Sequence, residues 1–212
     1  MEIIWLGHSC FRLRSREAVV ITDPCSPASG YSIGKLTADI VTISHDHPGH
    51  NYRKAVADTP IVITAPGEYE IAGVFIAGIA TYHDGQKGSL RGKNTAYMIE
   101  MDNIRICHLG DLGHLPTPEQ VEDMSGADVL LVPVGGKNSI DAATAAEVVG
   151  LLEPAAVIPM HYQTAHSAAS LDPLQRFLKE MGLTEVEPLA KVSFNPSNLP
   201  HETQVIVLDY KR

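Results

Sequence analysis

Ser44-His45-Asp46-His47-Pro48-Gly49-His50 places three histidines within six positions, directly after the apolar run 40–43. Neutral imidazole is the commonest protein ligand for zinc and related metals, and packing gives no reason to gather three of them where a strand becomes a loop. In extended chain His45 and His47 point to the same side, because side chains alternate with a period of two. Pro48-Gly49 reads as a type II turn, with proline pre-setting φ and glycine taking a positive φ, and it folds His50 back toward the first two. The bland alternative is a polar loop that happens to be rich in histidine. Spacing, position and turn chemistry together favour metal binding.

Working outward, further polar residues stand where apolar runs stop. His83 and Asp84 follow the run 74–80, His108 to Asp111 follow 104–107, and His161 follows 156–158. Alone, each reads as a surface or capping residue. Candidate ligands after several strands suit a site at the rim of a sheet, where each strand delivers its last side chain. His45, His47 and His83 would make a three-histidine site with an open position for water, and His50 with His161 could hold a second ion. Asp111 can bridge, since its two oxygens can each face one cation.

The rest of the chain reads as one α/β domain spanning 1–212. Short strands are expected at 3–6, 11–13, 19–22, 40–43, 61–64, 74–80, 95–100 and 104–107. Helices then alternate with strands at 129–132 and 156–158, and the tail returns to strand at 205–208. Thr117-Pro118-Glu119-Gln120 is a capping box with proline at the first helical position. Ala145, Val148, Val149 and Leu152 mark an amphipathic helix that stops before Pro154. A last helix opens at Asp172-Pro173 and closes at Gly182.

Composition bounds the partners. Of 212 residues 44% are hydrophobic and 19% charged, which is globular, and the net charge of −9 argues against nucleic acid as the main partner. Cys10, Cys25 and Cys107 form no paired motif, which favours a reducing compartment. No apolar run approaches bilayer length, and the first residues lack a basic, then apolar, leader pattern. The expectation is a cytoplasmic protein with a small-molecule substrate and no membrane partner.

These motifs in this order resemble the metallo-β-lactamase superfamily. The likeness runs from Trp5-Leu6-Gly7-His8-Ser9 and Thr22-Asp23-Pro24 through the histidine loop, His83-Asp84 and Gly92-Lys93-Asn94. It continues through His108 to His114, Val132 to Gly136, and Pro159-Met160-His161-Tyr162. Within the superfamily the chain is similar to the compact prokaryotic zinc-dependent hydrolases related to ascorbate-6-phosphate lactonase. The resemblance implies a four-layer αββα sandwich with a two-metal site at one rim. It places His45, His47 and His83 on the first metal, His50 and His161 on the second, and Asp111 between them.

One position departs from the family loop, His-x-His-x-Asp-His, because Gly49 stands where the aspartate belongs. That aspartate ligates the second metal and contacts the attacking water. Asp46 is nearest in sequence, but alternation turns it away. His108 and His114 flank Asp111 and could reach the site or orient a ligand. The simplest expectation is that nothing replaces the aspartate, so the second site binds more weakly. The implied activity is attack of a metal-activated water on an ester, lactone or phosphodiester. Zinc is the expected metal, with manganese or iron as alternatives. Asp111 or His108 would handle the proton, and His8 and Tyr162 are possible substrate contacts. Asp23 is a candidate partner for a ligand histidine. The alternative is a metal-binding protein on the same fold without catalysis.

Overall fold

The computed structural model describes residues 1–210. Alternation along the first strands decides which way they face. In Glu2–Gly7, Ile3 and Trp5 join the main core, while Ile4 and Leu6 face a second cluster with Cys10, Tyr31 and Val41. The sheet is therefore apolar on both sides. It has six strands in the order Val192–Ser193, Glu2–Gly7, Cys10–Arg14, Val19–Thr22, Ile40–Thr42 and Ile61–Ile63. Val19–Thr22, Ile40–Thr42 and Ile61–Ile63 run parallel.

The second sheet has seven strands: Gln204–Val205, Ala156–Met160, Val129–Pro133, Ile104–His108, Lys93–Met101, Val74–Tyr82 and Gly67–Ile71. Val129–Pro133 and Ala156–Met160 are buried along their whole length, as parallel strands covered on both faces must be. The main core joins both sheets to the helices Pro118–Met124, Ala142–Leu152 and Leu174–Glu180. These helices supply the crossover connections that parallel strands require. The capping box forms in both directions: Gln120 N–H donates to Thr117 Oγ1 at 3.3 Å, and Thr117 N–H donates to Gln120 Oε1 at 3.0 Å.

This is the expected α/β sandwich of two sheets with helices. The outer face of the first sheet is covered by residues such as Tyr31, Ile33, Leu36 and Val56 rather than by an α-helix. The tail also differs from expectation. Strand pairing covers only Gln204–Val205, after which Ile206 N–H still reaches Val157 O at 2.8 Å. The chain then turns toward Leu189, whose N–H donates to Val207 O at 2.9 Å. Residues 206–208 are buried, so their apolar run reports packing rather than strand. No helix among the described residues is long and apolar enough to cross a membrane.

Two inter-sheet hydrogen bonds close one rim of the sandwich. Thr95 N–H donates to Ser44 O at 2.9 Å, and His161 N–H donates to His8 O at 3.2 Å. The rim gathers the ends of Glu2–Gly7, Ile40–Thr42, Val74–Tyr82, Ile104–His108 and Ala156–Met160.

Candidate functional site

Each strand end delivers one or more polar side chains to this rim. Asp111 lies at its centre, buried, with Oδ2 3.1 Å from His50 Nε2, 3.4 Å from His161 Nε2 and 3.5 Å from His83 Nε2. The His45 ring is 4.2 Å from that of His50 and 4.5 Å from that of His83, centroid to centroid. Ligand atoms of His45, His83 and Asp111 lie within 4.8 Å of one another, as do those of His45, His47 and His50, and those of His8, His50 and His161. The six residues expected as ligands therefore come together, with His8 beside them.

The donor set contains most of the buried polar side-chain atoms that lack a partner among the described residues. His45 Nε2, His50 Nε2, His83 Nδ1, Asp111 Oδ1 and His161 Nδ1 have none. Buried polar groups are hydrogen-bonded in the great majority of cases. Orphans concentrated on one cluster of imidazoles and a carboxylate fit a cation.

Burial and the two carboxylates set the charges of the cluster in opposite directions. Burial, followed by the nearby His50 charge, pushes His45 down to about 3, leaving a neutral imidazole with a lone pair to offer. Burial works against charge on His50 too, but Asp111 and Asp23 outweigh it and raise the group to about 10. Burial would raise Asp111, yet His161 and His50 hold its carboxyl well below the usual range.

Asp23 pairs with one histidine of the loop. Its Oδ2 is 2.7 Å from His50 Nδ1, Ser44 Oγ donates to the same oxygen at 2.6 Å, and Ser44 N–H donates to Oδ1 at 2.7 Å. One buried carboxylate thus ties the histidine loop to the end of Val19–Thr22.

The loop turn forms, but not as its proline and glycine suggest. His50 N–H donates to His47 O at 2.8 Å and Asn51 N–H to the same oxygen at 2.9 Å. Gly49 is not among the residues with positive φ, so the turn is not type II and does not call for glycine on backbone grounds. Its reason is space: a Cβ there would sit 2.7 Å from His8 Nε2 and 3.2 Å from His47 Nδ1.

Five other sequence candidates are not part of the histidine–Asp111 cluster. His108 is buried with Nε2 2.9 Å from Ser9 O, and its Nδ1 accepts Gly110 N–H at 3.3 Å. His114 Nε2 accepts Tyr82 N–H at 3.1 Å, and its Nδ1 is 2.8 Å from Leu115 O. Tyr162 is buried against Trp5, ring centroids 5.3 Å apart, and does not line the cavity over the histidines. Asp84 is turned into its own loop, where its carboxylate accepts the N–H groups of Gln86, Gly88, Leu90 and Arg91. Asp46 lines the cavity but is exposed, and its Oδ1 accepts from Asn51 Nδ2 at 2.7 Å.

Two contributors were given no role from sequence, although Asn94 belongs to the quoted Gly92-Lys93-Asn94 motif. Asn94 is buried between Leu109 O and Asp111 N–H, bonded at 2.9 and 3.0 Å, and so positions the Asp111 loop. Arg91 lines the cavity of about 530 Å³ that opens over the histidines, together with Asn138 and Ser167. Asn94 follows Gly92, which hints at a strand start but not at its partner.

The chain matches the family model for the beta-lactamase superfamily domain over residues 2–161. It is 30% identical over 190 residues to a metal-dependent hydrolase of Thermoplasma acidophilum, covering 77% of this chain and 84% of that one. It is 29% identical to a metal-dependent hydrolase of Thermococcus onnurineus, covering 86% of this chain and 92% of that one. A crystal structure from Thermotoga maritima, of a candidate Zn-dependent hydrolase of the metallo-β-lactamase superfamily, shares 39% identity. It superposes with a TM-score of 0.81 over 98% of this chain and 97% of that one. With two mixed sheets, a histidine–aspartate cluster at their shared rim and a family match across most of its length, this chain belongs to the metallo-β-lactamase superfamily.

Proposed function

We propose that this chain is a metal-dependent hydrolase acting on an ester, lactone or phosphodiester bond of a small molecule that carries an anionic group. The observation that carries the reading is Asp111 Oδ2 within 3.5 Å of three imidazole nitrogens, with unpartnered buried atoms all around it. His45, His47 and His83 would hold the first ion, His50 and His161 the second, with Asp111 shared between them. Zinc is the metal this donor set favours. Bound metal would supply an activated water near neutral pH and stabilise the developing oxyanion.

The chain's own residues divide the remaining work. Asp23 holds His50 by its Nδ1, leaving Nε2 facing Asp111. Asn94 fixes the Asp111 backbone. Asp111 is the carboxylate placed to accept a proton from a water in the cluster, since both ring nitrogens of His108 are bonded to backbone elsewhere. Arg91 gives the cavity wall a positive group able to receive a phosphate or carboxylate. Gly49 offers no carboxylate, so on the loop's own residues the second set is one ligand short. Three buried free cysteines fit a reducing, cytoplasmic setting.

Zinc-loaded protein assayed on carboxylester, lactone and phosphodiester substrates tests this reading. Turnover of at least one class, lost in Asp111→Asn and on chelation, is the expected result. Tight zinc binding with no turnover of any class would leave a metal-binding protein without hydrolase activity.

A further inference from the structure

Gly49 and the His8 ring compete for one volume. A side chain at Gly49 would begin 2.7 Å from His8 Nε2 and 3.1 Å from His8 Cδ2, so a loop carboxylate and this imidazole exclude each other. Gly49 has an ordinary φ that any residue could adopt, so no backbone demand accounts for it. What fills the space of the family's aspartate is a histidine from the turn between Glu2–Gly7 and Cys10–Arg14.

The chain around His8 is shaped to present that ring. Gly7 at φ 103° and His8 at φ 55° reverse direction between Glu2–Gly7 and Cys10–Arg14. A non-glycine residue in the left-handed region is uncommon, and such residues cluster at functional sites. Two donors lock the His8 carbonyl, Trp5 Nε1–H at 2.9 Å and His161 N–H at 3.2 Å. The ring lies 4.4 Å from that of His161 and 4.9 Å from that of His50. Ligand atoms of these three histidines fall within 4.8 Å of one another. The His8 ring lines the cavity that opens over the histidines.

We propose that His8 is a ligand of the second metal, standing in for the carboxylate that Gly49 lacks, so that His8, His50 and His161 hold one ion with Asp111. This rests on the reading of the histidine–Asp111 cluster as a metal centre. Exchanging a carboxylate for a neutral imidazole leaves the centre one unit more positive, which suits an anionic substrate beside Arg91.

The test uses the full chain, stripped by chelation and titrated with zinc, read by metal analysis and by anomalous diffraction at the zinc edge. Wild type is expected to hold two zinc ions per chain, with a His8 ring nitrogen at about 2.0–2.1 Å from the second. His8→Ala should keep the first zinc and bind the second at least about 10-fold more weakly. The double variant His8→Ala/Gly49→Asp should recover the second zinc, because the carboxylate enters the space the imidazole leaves. The assignment is overturned if wild type holds one zinc only, if the second zinc does not touch His8, or if His8→Ala binds both unchanged. It is also overturned if His8→Ala loses both ions and the double variant does not restore them. Zinc at His45, His47 and His83 in any of these cases leaves the hydrolase reading standing. No zinc there in wild type removes both.

Discussion

Asp23 Oδ2 and His50 Nδ1 lie 2.7 Å apart with both side chains fully buried, one at the end of Val19–Thr22 and the other closing the histidine loop. His50 thereby presents Nε2 to Asp111, and Asp23 sits behind it as the carboxylate of a carboxylate–histidine pair. Removing the carboxylate charge frees the ring to turn and lowers its basicity. Asp23→Asn is therefore expected to weaken zinc at the second site by about 10–100-fold. Competition against a chelator of known affinity checks this, and an unchanged second constant would show that the pair serves only to hold the loop.

Metal removal is expected to destabilise the fold, because ligands from five strand ends are drawn to one cluster of buried, partnerless atoms. Anything that binds only the native state stabilises it by mass action. At a free zinc concentration 100 times the dissociation constant the gain is about 2.7 kcal/mol. For a domain of this size that is roughly 5–10 °C in Tm. Thermal scans with zinc and with chelator measure it; coincident curves would mean that the cluster does not bind zinc.

The Asp84 carboxylate is held below its usual range: burial alone would raise it, but the loop N–H groups of Arg91, Gln86, Leu90 and Gly88 outweigh that. A depressed carboxylate contributes stability that is present above its unfolded value of about 3.9 and is lost as pH falls through the folded value. Urea unfolding followed from pH 6 to pH 3 should therefore show a steeper loss for wild type than for Asp84→Asn. Parallel pH profiles would mean that the loop does not depend on the charge. Because Arg91 belongs to this loop, Asp84→Asn should also raise KM for an anionic substrate more than it lowers kcat.

His108 separates a structural histidine from a chemical one. Its Nε2 is bonded to Ser9 O inside the core, away from the cluster. His108→Phe keeps an aromatic ring, somewhat larger than imidazole, and strands that carbonyl and the Gly110 N–H, at a cost of about 1–3 kcal/mol for each. Zinc stoichiometry should be retained. Loss of zinc in a variant that remains folded would return His108 to the list of ligands.

Much of the centre was legible from local pattern. His45, His47, His50, His83, Asp111 and His161 follow apolar runs, and in a sheet protein strand ends converge whatever the details of packing. Asp23 and the Thr117–Gln120 capping box were legible for the same reason, since each is a residue type at a place where its chemistry is wanted. His108, His114, Asp84 and Tyr162 looked equally suitable, and only their contacts separate them from the cluster. A ring nitrogen bonded to Ser9 O or to the Tyr82 N–H is spent, and nothing in the order of residues says so.

By itself the sequence determined the α/β sandwich, the rim and most of the side chains that meet there, because strand alternation and strand-end placement are short-range properties of the chain. The meaning of Gly49 was decided by tertiary structure alone. In sequence it is a turn glycine and an absent ligand. In space it is the room taken by His8, a residue 41 positions earlier, whose ring arrives from the other end of the same sheet's connectivity. Two side chains cannot occupy one volume, and which residue yields is a fact about packing that no single stretch of chain contains.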